Sequence, residues 1–186
     1  ASSSTDIKGW MLLLKYDTVY GRLSKDIRYK ISNSKYKDCI GLIVVGEKEI
    51  PVFAQKDPSL LPWKDLNVDV VIESTGEFTT EEKLKTHLRA GAKKVVLSAP
   101  LKEGTAPTYI LSVNAQDYKG EKLISNASCT TNCIAPVAKI MLDNFGVEKA
   151  MMTTVHGYTS DQRLQDGGHK DYRRGRAAAN NMVPTS

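Results

Sequence analysis

One strand–helix–strand stretch of the sequence constrains the fold more than any other feature. Residues 68–73 are a nearly continuous apolar run, the composition of a strand buried on both faces of a parallel sheet. Thr79 and Glu82 have the spacing of a capping box, which predicts a helix that begins there and ends before Gly91. Residues 94–98 are rich in β-branched side chains and predict the next strand. Together they form a βαβ unit, so we expect an α/β protein.

Regular patterns lie on both sides of this unit. A mildly helical segment precedes it at residues 6–16. Additional strands are predicted at residues 40–45, 48–53, 108–113, 123–125 and 150–155. Residues 157–181 are polar and rich in glycine, which predicts a long irregular segment of the kind that is usually functional or at an interface.

The clearest helical pattern follows a cysteine. After Cys129, apolar residues recur at helical spacing and predict a helix with one apolar stripe, closed by Gly146. The stripe comprises Ile134, Val137, Ala138, Met141, Leu142 and Phe145. Cys129 therefore lies where a strand gives way to a helix, and His156 follows 27 positions later, at the end of the next predicted strand.

A cysteine in this position has a physical route to reactivity. The thiolate is the nucleophile, and a helix N-terminus or a nearby imidazolium lowers its pKa from about 8.5. The helix dipole alone contributes about 0.3–1 kcal/mol at an exposed site, less than the roughly 1.36 kcal/mol of one pKa unit. A thiolate at Cys129 thus needs a cation, and His156 could supply it and later act as general base. Backbone N–H groups of the same turn could stabilise an oxyanion.

Structural roles compete with catalysis for each of these residues. A lone cysteine is more often a small buried hydrophobe than a nucleophile. Cys133 lies on the same helix face as Cys129, which would also suit two metal ligands or a redox couple. We expect no metal, because no second Cys or His pair has ligand spacing. Cys39 is expected to be structural, and His87 and His169 are expected at the surface.

Composition excludes several classes of protein. The longest apolar runs are too short to span a membrane, and three cysteines at unrelated spacings fit a reducing compartment, so we expect a cytoplasmic protein. The net charge is +5. The densest basic cluster could be a solvated or subunit-contacting loop, an anion site or a nucleic-acid site. It consists of Lys170, Arg173, Arg174 and Arg176. No interleaved aromatic residues support stacking on bases, so no specific nucleic acid is expected.

The sequence at residues 127–136, ASCTTNCIAP, resembles the active-site signature of the phosphorylating glyceraldehyde-3-phosphate dehydrogenases. Five other stretches resemble the same family in order: LKYDTVYGR at 14–22, DVVIESTG at 69–76, GAKKVVLSAP at 91–100, TTVH at 153–156 and RRGRAAA at 173–179. The resemblance covers nearly the whole chain. It implies a partial Rossmann-type parallel sheet with helices in residues 1–128, and the beginning of an α+β catalytic domain in residues 129–186.

The resemblance also implies roles for particular residues. Cys129 would be the nucleophile, and His156 would activate it and accept the proton. The residues that would flank the substrate or hold its phosphate groups are Ser128, Thr130, Thr159, Asp161 and Arg174. Those that would line the adenine and nicotinamide pocket are Lys56, Thr75, Gly76, Phe78 and Ser98, with Lys56 in place of the family's usual arginine.

The implied reaction oxidises glyceraldehyde 3-phosphate with NAD. The Cys129 thiolate would add to the aldehyde, hydride transfer to the nicotinamide would leave a thioester, and inorganic phosphate would release 1,3-bisphosphoglycerate. Residues 158–180 would form the family's S-shaped loop, which packs between subunits of a homotetramer.

The sequence differs from the family pattern in ways that bear on activity and on the choice of cofactor. The 13 glycines nowhere form G-x-G-x-x-G, and the family's first strand and later phosphate-binding arginine are missing. We therefore expect an internal fragment that is inactive by itself. NADP could be used as well as NAD, because Ser3 falls near the acidic residue that contacts the adenine ribose in NAD-specific members. Gly167 and Gly168 also replace a bulkier pair that accompanies strict NAD use.

Two other functions remain open on the sequence alone. Erythrose-4-phosphate dehydrogenase shares the cysteine and the histidine. A non-catalytic binding or assembly module could use the basic loop instead.

Overall fold

The computed structural model of the chain describes residues 6–31, 36 and 38–184. By its internal contacts the chain divides into two compact units, Ala1–Asn144 and Phe145–Ser186. The strands are β1 (Tyr16–Asp17), β2 (Gly21–Arg22), β3 (Ile27–Lys30), β4 (Cys39–Val45), β5 (Lys48–Phe53), β6 (Val70–Glu73), β7 (Lys94–Leu97) and β8 (Leu123–Ser125). The α-helices are α1 (Ile7–Lys15), α2 (Glu81–Arg89) and α3 (Cys129–Phe145).

The parallel sheet of the first unit contains β6, β7 and β8 in that order. Val71 pairs with Val95, and Val95 pairs with Leu123, so the three strands run side by side in sequence order. Helix α2 connects β6 to β7 and packs on the sheet through Leu84, which is fully buried together with Val95. Each such side chain contributes about 1.5–3 kcal/mol by its burial. The α/β fold with a parallel sheet is confirmed.

A second, antiparallel sheet consists of β3, β4 and β5. Strands β4 and β5 form the predicted hairpin around Gly46, whose φ of 60° lies in the left-handed region that glycine adopts without strain. Helix α1 begins after Asp6, whose carboxylate accepts the Gly9 N–H at 2.8 Å. It packs on this sheet through a small core of Ile7, Ile27 and Ile43.

The prediction that residues 68–73 are buried on both faces is wrong. Strand β6 begins at Val70, and its residues alternate between exposed and buried. Val71 and Glu73 face the core beneath α2, whereas Ile72 is 69% exposed. The apolar run therefore belongs to a strand that is covered on one face only in the described residues.

The predicted capping box of α2 is displaced by one residue. Thr80, not Thr79, is the N-cap, and its hydroxyl accepts the Lys83 N–H at 3.4 Å. Thr79 is buried instead. The predicted end of the helix is confirmed, because Gly91 follows the C-cap Ala90 with a φ of 105°.

Two of the predicted strands are absent from the described residues. Residues 108–113 contain only an isolated bridge from Thr108 to Ser125. The Asn114 side chain holds the following turn, because its carbonyl accepts the Ile110 N–H at 2.8 Å and its amide donates to the Thr108 carbonyl at 3.0 Å. Residues 150–155 are also irregular, and Val155 is 99% exposed. A β-branched sequence forms a strand only where another strand pairs with it.

Helix α3 is confirmed from Cys129 to Phe145, but its apolar stripe is not buried. Among the described residues none of its 17 is buried, and Phe145 is 77% exposed. Gly146 follows the helix with a φ of 72°, as predicted.

The second unit has little regular structure in its described part. A short 3-10 turn at Tyr172–Gly175 begins after Asp171, whose carboxylate accepts the Arg173 N–H at 3.0 Å. The long irregular segment predicted at residues 157–181 is therefore confirmed apart from this turn.

Candidate active site

Cys129 is the first residue of α3 and is exposed, as the sequence predicts for a nucleophile at a helix N-terminus. The turn that delivers it is held by Ser125 at the end of β8, which is fully buried. The Ser125 hydroxyl donates to the Ala99 carbonyl at 2.8 Å and accepts the Ala127 N–H at 3.0 Å. Ala127 has a φ of 57°, a conformation that a non-glycine residue holds only where its surroundings fix it.

Ser128 caps the helix immediately before Cys129. Its hydroxyl accepts the Thr131 N–H at 3.0 Å and lies 2.8 Å from the Thr131 hydroxyl, while its carbonyl accepts the Asn132 N–H at 2.9 Å. Thr130 is half-buried in the same first turn. This arrangement directs the N–H groups at the start of α3 and the positive end of its dipole toward an anion held near Cys129.

His156 lies in the second unit, on irregular chain instead of the predicted strand end. Its ring is exposed, and Nδ1 lies 2.6 Å from the Gly157 carbonyl oxygen. Since a carbonyl oxygen only accepts, Nδ1 carries the proton in this contact. Nε2 is then the ring nitrogen that would gain or lose a proton in acid–base catalysis.

The predicted substrate residues of the second unit include an ion pair. Arg174 donates to one carboxylate oxygen of Asp161 through Nε at 2.9 Å and Nη2 at 2.8 Å. The Asp161 carboxylate thus engages the guanidinium, so its chemistry suits orienting Arg174 better than holding a phosphate directly. Thr159 is fixed by its N–H, which donates to the Gln162 side chain at 2.9 Å.

The basic cluster of this unit is largely neutralised by acidic neighbours. Arg173 contacts Asp171 at 2.6 Å, and Arg176 contacts Asp166 at 2.8 Å. The Arg173 guanidinium lowers the pKa of Asp171 to about 2, so this carboxylate stays ionised under all ordinary conditions. Paired arginines have less charge available for a polyanion, which disfavours a nucleic-acid surface here.

Three of the predicted cofactor residues line one cleft in the first unit. Two adjoining cavities of about 650 and 1150 Å³ share the lining residues Val52, Gln55, Lys56, Thr75 and Phe78, and we call them the Thr75 cleft. Its walls are mainly apolar, with Phe78 as an aromatic surface and Lys56 as a cation. This set fits a dinucleotide, whose flat rings need apolar walls and whose phosphates need a positive charge.

The other two predicted cofactor residues lie near this cleft without lining it. Gly76 stands between Thr75 and Phe78, and its φ of 81° requires glycine. Ser98 follows β7, and its N–H donates to the Glu73 carbonyl at 2.9 Å. Ser3, on which the NADP hypothesis partly rests, lies outside the described residues.

Sequence reasoning missed a buried polar pair that lines part of the Thr75 cleft. Glu73 and His87 are 3% and 4% exposed, and His87 Nε2 lies 3.0 Å from Glu73 Oε2. The prediction that His87 is at the surface is therefore wrong. Burial would raise the pKa of Glu73, but hydrogen bonds from His87 and Thr75 outweigh it and hold the pKa below its ordinary value. The available signal was an acidic residue ending an apolar strand.

The other titratable residues follow simpler patterns. His169 is half-buried instead of at the surface, and its Nδ1 accepts the Asp171 N–H at 3.0 Å. Cys39 is partly buried and donates to the Gly41 carbonyl at 3.5 Å.

In the part of the chain that the structure describes, no three His, Cys, Asp or Glu residues are grouped as metal ligands would be. None of the helices formed by these residues is long and apolar enough to cross a membrane.

Comparisons with known proteins agree with the class that this fold and site define. The model of the NAD binding domain of glyceraldehyde 3-phosphate dehydrogenase matches residues 1–81, and that of the C-terminal domain matches residues 128–186. The two matched models are the two domains of one family, and the first of them has the Rossmann-like α/β fold that the parallel sheet and its helix indicate.

Individual relatives agree with these matches. The chain is 51% identical over 188 residues to a glyceraldehyde-3-phosphate dehydrogenase of Mycobacterium tuberculosis, a match that covers 100% of this chain and 53% of the relative. It is 48% identical over 184 residues to glyceraldehyde-3-phosphate dehydrogenase 1 of Bacillus cereus, with 98% and 52% covered.

The chain belongs to the glyceraldehyde-3-phosphate dehydrogenase family, as its motifs predicted. It spans about half the length of the curated relatives that it matches.

Proposed function

We propose that the protein catalyses the NAD-dependent oxidation of glyceraldehyde 3-phosphate, with inorganic phosphate, to 1,3-bisphosphoglycerate. The observation that carries this proposal is the position of Cys129 as the exposed first residue of α3, directly after the Ser128 cap. The family of the chain supports the choice of substrate and cofactor.

In this proposal Cys129 and His156 act in sequence. The Cys129 thiolate adds to the aldehyde carbon, and the N–H groups at the start of α3 stabilise the developing oxyanion. The proton of the Cys129 thiol, held on His156 while the thiolate exists, passes to this oxyanion to give the thiohemiacetal hydroxyl. His156 takes the proton back through Nε2 as the hydride leaves, since Nδ1 faces the Gly157 carbonyl. Loss of hydride from the same carbon leaves a thioester on Cys129, and phosphate then displaces the thiolate to form the acyl phosphate.

Four residues are proposed to contact the substrate, and a fifth supports one of them. Ser128 and Thr130 would flank the bound aldehyde from the first turn of α3. Thr159 and Arg174 would bind the phosphate groups, while Asp161 would hold the Arg174 guanidinium in place through the contact at 2.8 Å.

The Thr75 cleft would hold the cofactor. NAD supplies the acceptor of the hydride when it is bound. Thr75, Gly76 and Phe78 would form one wall, Lys56 would neutralise negative charge at the adenine edge, and Ser98 would lie beside the nicotinamide end. The apolar walls would exclude water from the reacting atoms.

Assembly and location follow from the same proposal. We infer a domain boundary between residues 128 and 129, with the cofactor domain before it. The loop at residues 158–180 would pack between the subunits of a homotetramer, and the protein would work in the cytoplasm.

The test is NADH formation by the protein as its gene encodes it, with glyceraldehyde 3-phosphate and phosphate. We expect turnover that depends on phosphate and that exceeds turnover with erythrose 4-phosphate. A preference for erythrose 4-phosphate would favour that dehydrogenase instead. Absence of NADH formation with either sugar phosphate would contradict the enzymatic proposal and favour a binding module.

Cofactor choice is tested in the same assay. Gly167 and Gly168 are exposed and small, which supports acceptance of NADP beside NAD. The measured quantity is kcat/KM for each cofactor. A ratio within about 100-fold would support dual use, whereas a far larger preference for NAD would contradict it.

A further inference from the structure

Four side chains that line one cavity of the Thr75 cleft are connected to one another by hydrogen bonds. The Trp63 indole Nε1–H donates to His87 Nδ1 at 3.1 Å, and His87 Nε2 contacts Glu73 Oε2 at 3.0 Å. The other carboxylate oxygen of Glu73 accepts the Thr75 N–H at 2.8 Å and also the Thr75 hydroxyl. We call these four residues the Glu73 relay.

The donor and acceptor groups of Trp63 and Thr75 determine which atoms of His87 and Glu73 carry protons. An indole N–H only donates, so His87 Nδ1 must accept, and the proton of the neutral ring is on Nε2. His87 therefore donates to Glu73, which must be ionised in order to accept from both His87 and Thr75. A buried carboxylate is stable only when its oxygens are satisfied in this way.

The Glu73 relay ends on the loop that walls the cleft. Once the Thr75 hydroxyl donates to Glu73, its oxygen accepts the Glu77 N–H at 3.2 Å, which ties residues 75–77 to the end of β6. His87, which also lines the cleft, supports the same wall, because the Phe78 ring packs edge-on against its imidazole with centroids 6.1 Å apart. Two of the side chains proposed to contact the cofactor, Thr75 and Phe78, thus rest on one buried pair.

We propose that Glu73 and His87 are positioning residues for cofactor binding, which hold Thr75 and Phe78 in the binding conformation before the cofactor arrives. The inference rests on the proposed function of the Thr75 cleft. It assigns to the pair an effect on cofactor affinity, with the chemical step left to Cys129 and His156. A loop held in place beforehand costs less entropy to order on binding.

Glu73→Gln is the most informative change. The introduced side-chain amide would keep one acceptor for Thr75 but present an NH₂ group to the His87 Nε2–H. Moving the ring proton to Nδ1 would only transfer the conflict to the Trp63 N–H. Every arrangement leaves two donors facing each other, while the shape of the side chain is retained.

Two control variants separate positioning from general damage. Glu82→Gln removes the same charge from an exposed position on α2, where Glu82 pairs only with Arg89 at 2.7 Å among its described ion pairs. Leu88→Ala removes packing between the same helix and the core without changing any of the four relay residues.

The experiment measures the Kd for NAD by titration, kcat at saturating NAD, and hydrogen exchange of the Thr75 and Glu77 amides without NAD. It uses the protein as its gene encodes it. We expect Glu73→Gln to raise the Kd about ten-fold, to leave kcat within about two-fold, and to accelerate exchange at both amides. Glu82→Gln and Leu88→Ala should bind NAD nearly as the unmodified protein does, although Leu88→Ala lowers the unfolding temperature.

The outcomes distinguish this inference from the proposed function. If the unmodified protein binds NAD but Glu73→Gln binds it equally well, the positioning role is wrong and the proposed function stands. If Leu88→Ala raises the Kd as much as Glu73→Gln, the effect is general destabilisation and the inference also fails. If the unmodified protein does not bind NAD, the proposed function fails and this inference fails with it.

Discussion

Helices α2 and α3 differ in how their sequences relate to their burial. Helix α2 has nine mostly polar residues, yet it buries Leu84 and His87 against the parallel sheet. Helix α3 has the longer apolar stripe, yet none of its 17 residues is buried in the described structure. An apolar stripe therefore predicts a helix, whereas burial depends on the elements that pack against it.

The two helices also support the proposed site in different ways. Helix α2 contributes an interior side chain, His87, which acts through packing and hydrogen bonds beside the Thr75 cleft. Helix α3 contributes its first residue, Cys129, whose reactivity depends on the backbone N–H groups and the Ser128 cap. Changes in α2 should therefore affect stability and cofactor affinity, and changes at the start of α3 should affect chemistry.

The largest expected effect is loss of turnover at the start of α3. Cys129→Ala removes the nucleophile, so kcat should fall by about 10⁴-fold or more in the NADH assay. Cys133→Ala, one helical turn further along and also exposed, is the matched control and should stay within about two-fold. Similar losses in both variants would contradict the assignment of Cys129.

The burial contrast predicts a large difference in stability. Leu84→Ala in α2 should lower the free energy of unfolding by about 2–5 kcal/mol, because Leu84 is fully buried. Leu142→Ala in α3 should cost less than about 0.5 kcal/mol, because Leu142 is 58% exposed. Urea unfolding of the 186-residue chain provides both values. Equal costs would show that the stripe of α3 is covered.

The buried Glu73–His87 pair predicts that the free energy of unfolding depends on pH. Because the pKa of Glu73 is lower in the folded than in the unfolded chain, its contribution is complete above the unfolded value of 4.5. The contribution is lost as the pH falls through the lower, folded pKa. We expect the urea concentration at the midpoint of unfolding to decrease once the pH is below about 4.5. In Glu73→Gln this concentration should decrease less steeply with pH. Parallel pH curves for the two proteins would contradict the ionised state of Glu73.

Smaller effects than that of Leu84→Ala are expected at the caps of the two helices. The Ser128 hydroxyl accepts its helix N–H at 3.0 Å, whereas that of Thr80 does so at 3.4 Å. Ser128→Ala should therefore cost about 1 kcal/mol and Thr80→Ala less. Hydrogen exchange of the Thr131 and Lys83 backbone amides measures the stability of each cap separately. Ser128→Thr keeps the capping hydroxyl and serves as the conservative control. A larger effect at Thr80 would reverse the ranking.

The sequence was sufficient for the elements whose patterns are local. The hairpin around Gly46, the βαβ connection and the start of α3 at Cys129 were all predicted, because turn residues, helical spacing and apolar runs act over a few positions. The family was predicted from motifs and confirmed by the matched models.

The features that the sequence did not reveal depend on distant partners. Residues 108–113 and 150–155 have strand-like composition but lack a neighbouring strand along their length in the described chain. The Glu73–His87 pair joins residues 14 positions apart, and nothing in the local sequence of α2 separates a buried histidine from an exposed one. The roles of Cys129, His156 and the other site residues stay predictions.

The most direct test of the central claim is the rate of Cys129 alkylation by iodoacetamide as a function of pH. Peptide mass spectrometry resolves Cys129 from Cys133, which serves as the internal reference, and circular dichroism verifies that each variant is folded. We predict that Cys129 reaches half-maximal reactivity well below the value of about 8.5 for an ordinary thiol, and that His156→Asn moves this midpoint upward. A midpoint for Cys129 equal to that of an ordinary thiol, and unchanged by His156→Asn, would contradict a thiolate stabilised by the start of α3 and His156.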